Sequence, residues 1–333
     1  MNLALYLAGS FDRPSRCKWH DDAETTSRLR NEVHILRVGA SLVGESMTGR
    51  EISDEDLEHF VSQGFLIVKG AVDDKAVDTC LRTINNALGR PGLLSSGGAQ
   101  RGLGKLDGSI TSSPEVRDLL FGREGTQWLF DTFAAQNKDL MHWWIRSSPQ
   151  IALRFPEKPE SLWRLLATTE IMERGEAWHT DGLRKGKSHP FSLLVGVCLS
   201  DCSEEFQGNL LLFPGKHLVV HDMMRSSETQ SFSKELPIEQ ENEKQNSTHV
   251  AEEINNLPAL PPLGKPLHLE LRKGDIVLLH PDLPHSGGSN WGSQIRMMVY
   301  YRICLTDNMD GQGHREDPFH DFSDRVRQAA ARR

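Results

Sequence analysis

The clearest periodic signal opens at Ser53-Asp54-Glu55-Asp56, where a Ser three residues before an acid predicts a capped helix start. Leu57, Phe60 and Val61 then fall on one helical face, and Gly64 predicts its end in a left-handed conformation. Phe65-Leu66-Ile67-Val68 has the all-apolar look of a short buried strand. A second helix is predicted from Asp73-Asp74, with Val77, Cys80, Leu81, Ile84 and Leu88 at helical spacing and Gly89 closing it. Residues 90 to 113 are rich in Gly and Ser and predict a long loop, a common form of lid. Further helices are expected over 115–121 and 127–135.

From about residue 150 the apolar runs shorten to strand length. Strands are predicted over 151–155, 163–172, 191–199, 209–213, 267–271, 275–280 and 295–305. Helices first and strands afterwards imply an α+β, mainly β, domain with N-terminal helices packed on one face. A polar stretch over 222–262 interrupts the strands as a surface insertion. Residues 1–50 read as an extension, 51–310 as the folded domain and 311–333 as a C-terminal tail.

Charge and cysteine usage narrow the function. The formal net charge is -8 and the basic residues are scattered, which argues against a nucleic-acid partner. The one local cluster, Arg325, Arg327, Arg332 and Arg333, reads as a solvated tail. Five cysteines, an odd number without a CxxC, fit free thiols in a reducing compartment. No apolar run approaches the roughly 18 residues of a membrane span, and the N-terminus lacks the basic start of a signal peptide. A cytoplasmic chain with a small-molecule partner, and no membrane or nucleic acid, is the expectation.

The chemistry concentrates at Trp178-His179-Thr180-Asp181-Gly182. On an extended backbone the side chains at i and i+2 point the same way, so an imidazole and a carboxylate can meet one ion. With a second His they form the facial set of non-haem iron(II) oxygenases. His-x-Asp alone is weak, and the chain carries it three times, at His20, His179 and His280. The first lies in the extension, and Pro281 argues against a continuous strand ladder at the third. The second is followed in order by Gly208-Asn209-Leu210-Leu211-Leu212-Phe213-Pro214-Gly215-Lys216-His217. Then come Lys273-Gly274-Asp275, an apolar strand to His280, and Pro281-Asp282-Leu283-Pro284-His285-Ser286-Gly287-Gly288-Ser289-Asn290. Arg296 sits in a strongly apolar strand. A guanidinium there suits a carboxylate through its two-pronged donor geometry, although an outward-facing Arg on a half-buried strand is the competing reading.

With these motifs in sequence, residues 51 to 305 resemble the phytanoyl-CoA dioxygenase family of iron(II)/2-oxoglutarate oxygenases. The resemblance implies a double-stranded β-helix, the jelly-roll or cupin-like barrel, with His179, Asp181 and His285 as metal ligands. It implies Arg296 as partner of the distal 2-oxoglutarate carboxylate, and Fe(2+), 2-oxoglutarate and O2 as the reaction's cofactor and co-substrates. Relatives often show His-Gly-Ser-Gly at the distal ligand; here Ser286 is displaced by one residue and stands as the candidate second contact. The Lys-Pro-Pro that relatives often carry upstream of the first His is absent, and Thr168 or Thr169 is the replacement considered. His280 is expected to be buried and structural, His217 a structural cap, Trp178 a packing neighbour and Asn290 a brace of the His285 loop. Arg154 is a candidate substrate or co-substrate contact against a structural ion pair. The expected reaction hydroxylates a small organic molecule and releases succinate and CO2, since related halogenases lack the carboxylate that Asp181 supplies. Two rival readings stay open: a cupin-like metalloenzyme that does not use 2-oxoglutarate, and a catalytically inactive barrel serving as a binding module.

Overall fold

The computed structural model describes residues 35–36, 52–89, 103–104, 108–121, 124–134, 149–156, 178–181, 191–231, 263–306 and 312–333. The chain divides into two units, Met1–His34 and Ile35–Arg333, and every described residue belongs to the second.

Helix α1, Asp54–Gln63, starts as the sequence predicts. The Ser53 hydroxyl accepts from the Asp56 amide while the Asp56 carboxylate accepts from the Ser53 amide. It ends at Gly64 with φ 81°, and a Cβ there would lie 2.6 Å from His217 Nδ1, so the turn needs glycine for both conformation and space. Strand β2, Phe65–Val68, follows directly, and Asp73 caps α2, Asp74–Leu88, through the Ala76 amide. The predicted loop is not wholly irregular. It contains a two-residue strand, Leu103–Gly104 (β3), and a one-turn helix, Gly108–Thr111 (α3). Pro114–Phe121 (α4) and Glu124–Phe133 (α5) complete the N-terminal helices.

The remaining strands are β4 Gln150–Arg154, β5 Leu193–Cys198, β6 Leu210–Leu212, β7 Leu267–His268, β8 Ile276–Leu279, β9 His285–Gly287 and β10 Arg296–Ile303, with β1 at Ile35–Leu36. The strand expected over 163–172 lies outside the described residues. A seven-stranded sheet runs β1-β2-β8-β5-β10-β4-β3, antiparallel except for the β1–β2 pair, and a three-stranded antiparallel sheet runs β7-β6-β9. Thus Ile35–Leu36, inside the expected extension, adds an edge to the large sheet.

Strand alternation gives the large sheet two faces. Ile151, Leu153, Leu193, Val195, Val197, Ile276, Leu278, Met297, Val299, Tyr301 and Ile303 point to one side and join the helices in a single apolar core. Burying such residues contributes about 1.5–3 kcal/mol apiece, which is why the helices cover this face. The intervening residues Ala152, Arg154, Gly196, Cys198, Arg296, Met298, Tyr300 and Arg302 line the other face, toward the small sheet.

Two expectations for the second half are corrected. Residues 311–333 are not a solvated tail: they carry helices α7, Gln312–Glu316, and α8, Asp324–Ala331. Phe319, Phe322, Val326 and Ala329 enter the core at three- and four-residue spacing, and α8 packs on α1. Arg325 and Arg332 tether it by donating to Asp54 and Glu58. The insertion expected from residue 222 begins instead within helix α6, Lys216–Ser231; residues 232–262 lie outside the described set. Among the described residues, no helix is long and apolar enough to cross a membrane.

Candidate metal centre

His285 opens β9, where it pairs with Leu212 of β6. On its other edge it meets His179: the His179 amide donates to the His285 carbonyl at 3.1 Å, and the His285 amide returns the bond at 3.0 Å. This two-bond bridge joins the two candidate histidines, and Asp181, two residues on, follows on the same side. The imidazoles stand 4.6 Å apart between ring centres, and His179 Nε2 lies 3.7 Å from Asp181 Oδ1. One ligand atom from each of His179, Asp181 and His285 falls within 4.8 Å of the others.

The surroundings fix which atoms face inward. His285 Nδ1 lies 2.8 Å from the Leu283 carbonyl, an acceptor only, so Nδ1 carries the proton and the Nε2 lone pair is left for a metal. The second carboxylate oxygen of Asp181, Oδ2, accepts from Arg302 Nη2 at 2.7 Å, and the same nitrogen lies 3.1 Å from Gln150 Oε1. Burial alone would raise the Asp181 pKa, but His285, Arg302 and His179 outweigh it, and the group titrates below the usual carboxylate range. His179 titrates at about 4: desolvation comes first, then His285, with Asp181 opposing and Arg154 and Arg302 adding to the depression. The shift favours the neutral imidazole, the form that ligates a metal.

Arg296 is buried on the inner face of β10. Its Nε donates to the Gly208 carbonyl and its Nη1 reaches the Ala152 carbonyl at 3.5 Å. The competing outward-facing reading fails on this burial. Arg154 lies opposite Arg296 in the β4–β10 register, so the two share a face. Its guanidinium packs on Gly287, where a Cβ would lie 2.1 Å from Nη2; glycine two residues after His285 makes room for it. Asn290 braces this corner as expected, its Nδ2 donating to the Arg154 carbonyl at 2.8 Å and the Gln294 carbonyl at 2.7 Å.

Ser286 is not brought to the site. It alternates with His285 and Gly287 along β9 and pairs with Leu211, whose side chain belongs to an apolar cluster with Trp178, Phe213, Val220 and Leu263. The one-residue displacement from the family pattern thus turns the hydroxyl to the opposite face. Thr168, Thr169 and the His20 pair lie outside the described residues. His280 is structural: Nε2 donates to the Pro318 carbonyl at 2.9 Å and Nδ1 accepts from the Asp282 amide at 3.2 Å. His217 caps α1 through the Val61 carbonyl at 3.0 Å. Sequence reasoning missed Arg302, although its even-numbered register with Arg296 on β10 was the signal that could have found it.

A family model described as phytanoyl-CoA dioxygenase (PhyH) matches residues 60–298. No curated protein matches the chain. Among solved structures, the chain is similar to the non-haem alpha-ketoglutarate-dependent carbocyclase SnoK from nogalamycin biosynthesis, at 17 % identity over 77 % of this chain and 87 % of that one, TM-score 0.45. It is similar to the epimerase SnoN in complex with Fe3+, alpha-ketoglutarate and nogalamycin RO, at 15 % identity over 75 % and 82 %, TM-score 0.44. HygX from Streptomyces hygroscopicus, with nickel, 2-oxoglutarate and hygromycin B bound, aligns at 13 % identity over 78 % and 90 %, TM-score 0.45.

Proposed function

The chain belongs to the phytanoyl-CoA dioxygenase family, and on that premise we propose that it is an iron(II)- and 2-oxoglutarate-dependent oxygenase hydroxylating a small organic molecule. The observation that carries this reading is the meeting of His179, Asp181 and His285 within 4.8 Å. Two imidazoles and one carboxylate suit iron(II) in a facial set that leaves positions for a chelating co-substrate and dioxygen. Iron(II), when bound, supplies oxygen activation coupled to decarboxylation of 2-oxoglutarate to succinate and CO2. The two sheets, antiparallel but for the β1–β2 pair, we read as a double-stranded β-helix, and the oxygenase domain as running from residue 51 through α8.

The chain's own residues do the positioning. The Leu283 carbonyl sets the His285 tautomer, and Arg302 holds Asp181 so that Oδ1 is turned toward His179. Arg296 takes the distal carboxylate of 2-oxoglutarate, with Arg154 beside it. Arg154 packs on Gly287, about 7 Å along β9 from His285 at a strand's rise per residue, and both side chains border Gly208. Buried guanidinium groups recognise a carboxylate strongly because water does not compete for their donors. Trp178, Leu211 and Phe213 form an apolar wall behind β9.

The test is anaerobic addition of iron(II) and 2-oxoglutarate. A visible charge-transfer band is expected in the parent and lost in Asp181→Ala and His285→Ala. Arg296→Ala is expected to keep its metal and bind 2-oxoglutarate at least about 10-fold more weakly, as for loss of a buried charged hydrogen bond. Metal binding without any response to 2-oxoglutarate would leave the rival cupin-like reading in place.

A further inference from the structure

A second group of metal-ligating side chains lies buried beyond the β8–β9 loop. His221 comes from α6, Asp282 from the loop itself and His314 from α7. Their side chains are 5 %, 0 % and 1 % exposed. His221 Nδ1 lies 3.0 Å from Asp282 Oδ2, and His314 Nε2 lies 2.9 Å from that same oxygen. One ligand atom from each residue falls within 4.8 Å of the other two.

From this convergence we propose that His221, Asp282 and His314 bind a divalent transition-metal ion of the zinc class, as a structural site separate from the His179 centre. Both ring nitrogens converge on a single carboxylate oxygen, Oδ2, which brings the three donor residues to one point of the buried cluster. The imidazoles meet at 89° with ring centres 5.1 Å apart. Two imidazoles on one tetrahedral ion, each nitrogen about 2.1 Å from it, have ring centres roughly 5 Å apart. Loading the ion asks the two nitrogens to draw back from Oδ2 by a few tenths of an ångström, from 3.0 and 2.9 Å to about 3.3 Å. His280 Nδ1 lies 4.0 Å from Asp282 Oδ2, but its lone pair is taken by the Asp282 amide, so His280 borders the cluster without supplying a ligand. Its other nitrogen is held by the Pro318 carbonyl. Nitrogen and carboxylate donors favour zinc over calcium or magnesium, which prefer all-oxygen sites.

Bound there, the ion ties α6 and α7 to the loop that presents His285, three residues after Asp282. The proposal does not depend on the oxygenase reading.

Metal stoichiometry in the full chain, prepared without a histidine tag, tests it. Zinc is added, excess is removed by gel filtration and bound metal is counted. About two ions per chain are expected in the parent and about one in His179→Ala/Asp181→Ala, since each intact ligand set holds one. Adding Asp282→Asn or His314→Gln to that double variant should remove the last ion. Cobalt(II) in the double variant should give the visible bands of a tetrahedral site. Those bands are read in a chain with its buried cluster intact, so they stay informative even where Asp282→Asn fails to fold. A folded double variant that takes up neither zinc nor cobalt overturns the proposal, as does one that keeps its ion after His314→Gln; the group is then a hydrogen-bonded cluster only.

Discussion

The chain builds the same three donors, two imidazoles and a carboxylate, in two places with opposite surroundings. At His179, Asp181 and His285 the side chains of the first two are 55 % and 16 % exposed. At His221, Asp282 and His314 none exceeds 5 %. The open group is held at its edges, by a carbonyl behind His285 and Arg302 behind Asp181. The closed group is locked between two helices and a loop. Open coordination suits turnover, because substrates must reach the ion; closed coordination suits stability, because nothing need enter. Ligand chemistry alone therefore does not assign a role, and burial separates the two.

The largest effect that would sharpen this contrast is at Asp282. Removing one partner of a buried charged cluster leaves the others uncompensated, so Asp282→Asn should cost about 3–5 kcal/mol, read as a lowered urea midpoint. A loss below about 1 kcal/mol would erase the distinction drawn between the two groups.

Acid should reveal the closed region next. Burial first, opposed by Asp282 and reinforced by His314, depresses His280 from 6.5 to about 4. Between those values the unfolded chain takes up a proton that the folded chain refuses. Stability from this residue is whole above pH 6.5 and falls as pH drops toward 4. At about 1.4 kcal/mol per pH unit the fall reaches about 3 kcal/mol. His217 is lowered in the same sense by burial and then by His280. Urea titrations from pH 7 to 4 should show this slope, flattened in His280→Asn; an unchanged slope there would assign it elsewhere.

At the open group, Arg302→Gln should weaken metal binding by about 10- to 100-fold while leaving the fold stable, as for loss of an outer support of a ligand. Isothermal titration with iron(II) or nickel(II) checks it, and unaltered affinity would mean Arg302 does not orient Asp181. The smallest change is expected at Ser286→Ala. With its side chain on the far face of β9, the apparent affinity for 2-oxoglutarate should move by less than about 2-fold; a larger loss would show that the strand presents Ser286 to the site.

Much of this was legible in the sequence because the signals were local. The capping box at Ser53, the helical spacing from Val77 to Leu88 and the apolar strand before His280 each depend on neighbours a few residues away. His179, Asp181 and Arg296 were legible through residue type, spacing and order, and His285 as the histidine that completed the resemblance. The misses were of another kind. β9 is three residues long and begins after Pro284, so no periodicity marks it. Helix α8 hides its apolar positions among arginines. Arg302 has meaning only once β10 is aligned with the strands beside it.

By itself, then, the sequence determined which segments bury themselves and which residues can ligate, since both follow from side-chain chemistry and short-range spacing. Tertiary structure alone decided that His179 would bridge to His285, that Arg154 would stand beside Arg296, that Ser286 would face away, and that His221, Asp282 and His314 would meet out of sight of water. Those outcomes depend on strand register and helix docking, where one residue of slip reverses a face and no local signal records it.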